Sequence, residues 1–236
     1  MEHYLYLGLN AFTLLGPLAL SFDRKVSYWR SWKALFPALA ITAALFLVWD
    51  VWFTVEGVWG FNPDYLTGIS LFHLPLGEWL FFFTIPFACV FIYACVKAYI
   101  PKQPLKRVAP WVFRSLMVIL PVLGIIFSDQ IYTLITFTGV GALLALNLYV
   151  IKPDYLGHFL LAYLIALVPF GIVNGVLTSI PVVWYNDLEN FGLRLGSIPV
   201  EDTIYNLWLM LMNVNIYEWL LSRQRERPPL TPSVAS

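Results

Sequence analysis

The chain has 236 residues and a formal net charge of zero, because 14 lysines and arginines balance 14 aspartates and glutamates. Apolar residues make up 60% of it, charged residues only 12%, and the mean hydropathy is +0.74. This composition excludes an ordinary soluble globular domain and places the chain among membrane proteins. So few charges also leave no basic surface for nucleic acid, and we expect no such partner.

Seven apolar segments are long enough, or nearly so, to cross about 30 Å of hydrocarbon as helices. They are residues 4–21, 34–54, 77–98, 109–127, 131–151, 156–178 and 199–221. The sequence therefore predicts an all-α integral membrane protein with seven transmembrane helices. The segment 223–236 is polar and rich in proline, and we expect a disordered cytoplasmic tail.

Basic residues in short loops predict the orientation, because they resist translocation across the membrane. Thirteen of the 14 lysines and arginines fall on one side of the seven predicted spans, and Arg194 is the exception. The N-terminus is therefore expected outside and the C-terminus in the cytoplasm. For a bacterial protein this predicts a multi-pass protein of the cell (inner) membrane.

An internal repeat appears when the chain is compared with itself at an offset of 124 residues. Thr54 meets Thr178, Asn62 meets Asn186, Gly68 meets Gly192, Pro75 meets Pro199 and Tyr93 meets Tyr217. Four spans separate equivalent positions, so the repeats have the same orientation in the membrane. We divide the chain into a three-helix repeat (1–100), a linker helix (101–130), a second three-helix repeat (131–222) and the tail (223–236).

The third and seventh predicted helices begin alike, with a proline closely followed by acidic residues. One copy reads PLGE with Glu78, and the other reads PVED with Glu201 and Asp202. A single such start is more often a helix cap than a catalyst, since an acid suits the positive end of the helix dipole. Asn206 continues the second start along one helix face, and a polar stripe inside a membrane marks a functional cavity.

Further polar and aromatic residues are predicted at the same outer level. The candidate binding residues are Asp50, Asn62, Asn174, Asn186, Asn206, Trp52, Trp59, Trp184 and Tyr205. For any single aromatic ring, an interfacial belt is an equally good interpretation. Together, a few acids among many aromatic faces suit a reaction through a carbocation, which needs a proton donor, a proton acceptor and dry walls.

The stretches Trp49 to Tyr93 and Ile198 to Leu220 resemble the two lycopene cyclase domains of the heterodimeric bacterial and fungal type, here fused in one chain. The resemblance implies a membrane enzyme that forms β-ionone rings from the ψ-ends of lycopene by redox-neutral acid–base isomerisation. It also implies that the acidic pair of the family corresponds to Glu201 and Asp202, and in the first motif to Gly77 and Glu78. Glu201 is the first choice for catalysis.

Gly77 departs from the family pattern, which has a glutamate at this position. A glycine inside a helix costs about 0.5–1 kcal/mol relative to alanine, and the sequence shows no compensating structural benefit. Either the first copy has lost its role or the residue has been altered. If a carboxylate here is essential, the chain binds a carotenoid but cyclises it slowly or not at all.

The sequence predicts no cofactor and no metal site. It has no glycine-rich nucleotide motif, and His3, His73 and His158 stand alone, without a second histidine at ligand spacing. A non-catalytic carotenoid-binding protein and a small-molecule transporter built from three-plus-one-plus-three helices remain alternatives. Carotenoid hydration, in which water captures the same cation, is an alternative within the same superfamily.

Overall fold

The computed structural model describes residues 2–226 and contains seven α-helices. They are α1 (Leu5–Leu20), α2 (Trp32–Val55), α3 (Leu76–Tyr99), α4 (Ala109–Ile126), α5 (Ile131–Ala145), α6 (Leu156–Ser179) and α7 (Val200–Glu226). A π-helical turn, Leu146–Ile151, extends α5. Helix α7 runs four residues into the segment expected to be a disordered tail, and the rest of that segment lies outside the described residues.

Five helical segments are long and apolar enough to cross a membrane. They are Tyr28–Val55, Leu76–Tyr99, Ala109–Ile126, Ile131–Ile151 and Leu156–Ser179. Helix α1 has only 16 residues, and α7 carries acids in its first turn and arginines in its last. The all-helical, membrane-protein character predicted from the sequence is confirmed.

Equivalent backbone hydrogen bonds, as well as equivalent residues, occur in the two repeats. The N–H of Leu76 donates to Ile69 O, and the N–H of Val200 donates to Leu193 O, both at 2.9 Å. Gly68 and Gly192 have φ of +78° and +77°, a region that glycine enters without steric cost. The chain therefore enters α3 and α7 through the same turn geometry.

Helix packing follows the same duplication. Helix α1 packs on α3 as α5 packs on α7, and α2 packs on α3 as α6 packs on α7. Helices α2 and α7 contact each other as do their counterparts α6 and α3, while α4 lies against α5. The first turns of α3 and α7, with the acidic residues, thus lie between the two halves.

Six short strands lie in the loops that precede α3 and α7. Two-residue hairpins, β2 (Ser70–Leu71) with β3 (Leu74–Pro75) and β5 (Arg194–Leu195) with β6 (Ile198–Pro199), lead directly into these helices. Strands β1 (Trp59–Phe61) and β4 (Val183–Tyr185) pair antiparallel and join the two repeats. A Cβ at Gly60 would lie 2.3 Å from the Trp184 ring, so glycine lets this ring lie across the ribbon.

Candidate functional site

A cavity lies beneath the β1–β4 ribbon, between the first turns of α3 and α7. Three of its lining side chains are carboxyl groups, those of Asp50, Glu78 and Asp202. Aromatic rings form most of the remaining wall: Tyr6, Trp59, Phe61, Phe81, Tyr132, Phe170, Tyr185 and Tyr205. Buried acids are thus placed against π-faces, in a site that can bind a small apolar group.

Glu78 and Asp50 form the half of the site that belongs to the first repeat. The Tyr6 hydroxyl on α1 donates to Glu78 Oε2, and the Trp59 indole donates to Asp50 Oδ1 at 2.7 Å. The Asp50 and Glu78 side chains both line this part of the cavity, and both residues are buried. Two carboxyl groups buried in one cavity repel each other when both are ionised, which favours a proton on one of them.

Asp202 has a different environment in the second repeat. Its Oδ1 accepts from the Tyr132 hydroxyl at 2.6 Å, and its Oδ2 accepts from Asn174 Nδ2 at 2.7 Å and from the Tyr185 hydroxyl at 2.8 Å. Three neutral donors from three different elements thus fix the position of this one carboxyl group. Asn174 replaces the second carboxyl group that Asp50 supplies in the other half.

Tyr185 lies in the ribbon, outside the membrane-spanning helices. Burial and the adjacent Asp202 carboxyl group raise the pKa of its hydroxyl well above the usual value. The hydroxyl therefore keeps its proton and serves Asp202 as a constant hydrogen-bond donor.

The structure brings some of the sequence-predicted residues to the cavity and leaves others outside. Asp50, Glu78, Asp202, Asn174, Trp59 and Tyr205 line it. Trp52 and Trp184 instead are 44% and 45% exposed. The Asn62 and Asn186 carboxamides accept from backbone N–H groups two residues on, and thus stabilise turns. Asn206 is buried beside Cys89, away from the cavity lining.

Glu201, the first choice from sequence, does not line the cavity. Its Oε1 accepts from the Thr133 hydroxyl at 2.6 Å and from the backbone N–H of Phe191, and the residue is fully buried. Consecutive helix residues point about 100° apart, so when Asp202 faces the cavity, Glu201 faces α5 and the loop before β5. Its contacts are those of a positioning residue.

The contacts of Glu201 predict a stability effect larger than its catalytic effect. Glu201→Ala leaves the Thr133 hydroxyl and the Phe191 N–H without their acceptor, at a cost of about 1–3 kcal/mol per unpaired group. Glu201→Gln keeps an oxygen acceptor there, so we expect a nearly unchanged melting temperature and ring formation reduced only a few-fold. Thermal unfolding in detergent and carotenoid chromatography measure the two effects. Loss of all ring formation in a folded Glu201→Gln protein would place the proton step at Glu201.

Packing against Tyr6 explains the glycine at position 77, and the sequence did not reveal this contact. The Tyr6 ring lies against it so closely that an added Cβ would be 2.5 Å from Tyr6 Cδ1 and 2.6 Å from Cγ. The Asn10 carboxamide donates to Gly77 O at 3.0 Å and fixes α1 against α3. Glycine thus allows Tyr6 to approach and to donate its hydroxyl hydrogen to Glu78.

Sequence reasoning missed the two tyrosines that hold the cavity acids, Tyr6 and Tyr132. They are equivalent residues, but they are 126 positions apart, whereas the helix starts are 124 apart. A repeat search that allowed a two-residue gap would have paired them. Within residues 2–226, no group of three or more His, Cys, Asp or Glu side chains is arranged to hold a metal ion.

The family model described as Lycopene cyclase matches residues 3–96 and 129–220. No curated protein and no solved structure matches the chain. The two matched segments coincide with the two structural repeats, and their boundaries reproduce the change of offset from 126 at the start to 124 at the end. Because they cover well over half of the sequence, the resemblance noted from the motifs is confirmed: the chain belongs to the lycopene cyclase family.

Proposed function

We propose that the chain is a membrane lycopene cyclase that forms β-ionone rings from the ψ-ends of lycopene by redox-neutral acid–base isomerisation. The observation that carries the proposal is the pairing of two unlike acid sites in one aromatic cavity. One is a pair of carboxyl groups in the same part of the cavity, Asp50 with Glu78, and the other is a carboxyl group held by three neutral donors, Asp202. Family membership supports a carotenoid as the substrate.

The proton donor is the Asp50–Glu78 pair. It delivers H⁺ to C2 of the acyclic end, and the resulting cation at C1 is attacked by the C5–C6 double bond. The new C1–C6 bond closes the ring and leaves the positive charge at C5. Trp59, Tyr205 and the other aromatic walls stabilise this charge through their π-faces without supplying a nucleophile.

The proton acceptor is Asp202, directly or through the hydroxyl groups that it holds. Loss of the C6 proton forms the C5–C6 double bond of the β-ring, so one proton enters and one leaves with no change of oxidation state. The Asp202 carboxylate also stabilises the cation electrostatically before it takes the proton. In this assignment Gly77 does not inactivate the enzyme, because both proton steps use residues that are present.

We propose that the helices span the membrane in the arrangement that the basic residues predict, with three helices, a linker helix and three helices. In this topology the N-terminus is outside and the cavity lies near the outer face of the bacterial inner membrane, embedded in the lipid bilayer that holds the carotenoid. Support comes from the matched contacts of the two halves and from the one-sided distribution of lysine and arginine.

Pigment analysis tests the proposed function directly. We expect a lycopene-accumulating bacterial host that expresses this chain to produce carotenoids with β-rings, measured by chromatography and mass spectrometry. Hydroxylated acyclic products would instead indicate a hydratase. Unchanged lycopene that co-purifies with the protein would indicate a carotenoid-binding protein, and unchanged lycopene without co-purification would leave the transporter alternative.

Asp202→Asn provides a test of the acceptor. The substitution keeps the shape of the side chain but removes its charge, so we expect about a 10²-fold loss of ring formation. Asp64→Asn, an exposed position in the loop before α3, is the matched control and should retain full activity. Equal activity of the two variants would remove Asp202 from the reaction. The two variants are compared by their initial rates of ring formation in membranes supplied with lycopene.

A further inference from the structure

A second cavity runs between α1, α3 and α6 on one side of the molecule. Its wall is almost entirely apolar and includes Ile85, Ala88, Ile92, Val173 and the exposed Pro169. We call this cavity the α1–α6 groove. Most of its lining residues lie on α3 and α6, which are long and apolar enough to cross a membrane, so we infer that the groove opens toward lipid.

The α1–α6 groove adjoins the cavity that contains the acids. Phe81, Phe170, Asn174 and Leu177 line both spaces. One end of the combined space is therefore acidic and aromatic, while the rest offers only apolar contacts. A ligand that fills both must have a reactive end group and a long apolar remainder.

The equivalent space in the other half of the molecule is filled by side chains. At the repeat offset, Val173 corresponds to Trp49 and Ala88 to Met212. The rings of Trp49 and Trp208 lie 5.0 Å apart between centroids, and those of Trp49 and Tyr205 lie 5.2 Å apart. Phe46 closes the cluster, 5.3 Å from Tyr205. Small residues thus keep one side open where large residues occupy the other.

We propose that the α1–α6 groove binds the linear polyene chain of the carotenoid while its acyclic end group lies among Asp50, Glu78 and Asp202. The substrate enters sideways from the bilayer between α1 and α6, and only from this side of the molecule. One end group is therefore processed at a time, although the fold contains two repeats. This inference rests on the proposed function, which supplies the carotenoid as the occupant.

The test is to fill the open groove with the residue that fills the closed one. Val173 is 7% exposed, and Val173→Trp introduces the side chain that Trp49 provides in the other half. We expect conversion of full-length lycopene by the purified protein to fall on the order of tenfold or more. A short acyclic hydrocarbon with the same end group fits the acid cavity alone, so its conversion should stay within about twofold of that by the unaltered protein.

Two further variants separate a blocked groove from a damaged fold. Val168→Trp makes the same change on the same helix at a side chain that is 66% exposed and outside the groove, and it should behave like the unaltered protein with both substrates. Ala88→Met introduces the residue found at the equivalent position in the other half, which is smaller than the tryptophan of Val173→Trp. It should weaken lycopene conversion selectively. If Val173→Trp and Ala88→Met both convert lycopene normally, the groove does not hold the polyene. If they instead lose only co-purified phospholipid, a lipid acyl chain occupies it and the proposal is overturned.

Carotenoid retention separates this inference from the proposed function. If the unaltered protein forms no ring from either substrate, the cyclase assignment fails. Lycopene that still co-purifies with the unaltered and Val168→Trp proteins, but not with Val173→Trp, would then support the groove as its binding site. Equal retention by all three proteins would overturn the groove assignment independently of activity.

Discussion

Glu78→Gln is expected to abolish ring formation, with a loss on the order of 10²–10⁴-fold that is typical of removing a general acid. Glutamine retains an oxygen that accepts the Tyr6 hydrogen bond, so α1 and α3 should remain packed. The amide cannot share an acidic proton with Asp50, and the cavity then has no adjacent carboxyl pair. Initial rates of β-ring formation from lycopene, with thermal unfolding as a check on folding, measure the effect.

Glu56→Gln is the matched control for this substitution. Glu56 is exposed immediately after α2, near the same end of the bundle as the cavity, and it does not line the cavity. We expect normal activity from it. A folded Glu78→Gln protein with the activity of Glu56→Gln would exclude the Asp50–Glu78 pair as the proton source.

Gly77→Glu, which restores the residue that the family pattern has at this position, is expected to impair the protein. The new Cβ would overlap the Tyr6 ring, and overpacking of this kind costs about 1–3 kcal/mol. Relief of the overlap requires Tyr6 to move, which removes its hydrogen bond to Glu78. We therefore expect a lower melting temperature and roughly a tenfold or greater loss of ring formation.

Gly77→Ala separates the steric effect from the charge. Alanine adds only the Cβ that meets Tyr6, so it should reproduce most of the loss of stability without adding a carboxyl group. If Gly77→Glu instead increases ring formation while Gly77→Ala does not, position 77 needs a carboxylate and the natural glycine slows the enzyme. Melting temperatures and lycopene conversion of the three proteins decide between these outcomes.

Much of the fold could be predicted from the sequence because the lipid environment restricts it. Helices are the simplest way to satisfy backbone hydrogen bonds in hydrocarbon, so long apolar segments indicate where they lie. The repeat at an offset of 124 placed Asp50 opposite Asn174 and Glu78 opposite Asp202, and all four side chains line the cavity.

The direction in which each acid points could not be read from the motif. Glu201 and Asp202 are adjacent in sequence, yet Asp202 reaches the cavity while Glu201 bonds to Thr133 and the Phe191 backbone. Which of the two faces inward depends on the rotation of α7 against its neighbours, and packing decides that rotation.

The contacts between α1 and α3 could likewise not be predicted from the sequence. Glycine is favoured at position 77 because an added Cβ would overlap the ring of Tyr6, which is 71 residues away along the chain. From the sequence alone, without that contact, Gly77 is interpreted as the loss of an expected glutamate. In the structure it is the position that lets α1 approach α3 and supply the hydroxyl that holds Glu78.

Deuterium incorporation tests the central claim most directly. Membranes containing the protein, equilibrated in D₂O and supplied with lycopene, should form rings that each carry one deuterium at C2, because a carboxylic acid proton of the proposed Asp50–Glu78 donor exchanges with solvent. Mass spectrometry and NMR of the purified carotenoid locate and count the label. Rings formed without deuterium at C2 would contradict proton donation by these carboxyl groups and with it the proposed mechanism.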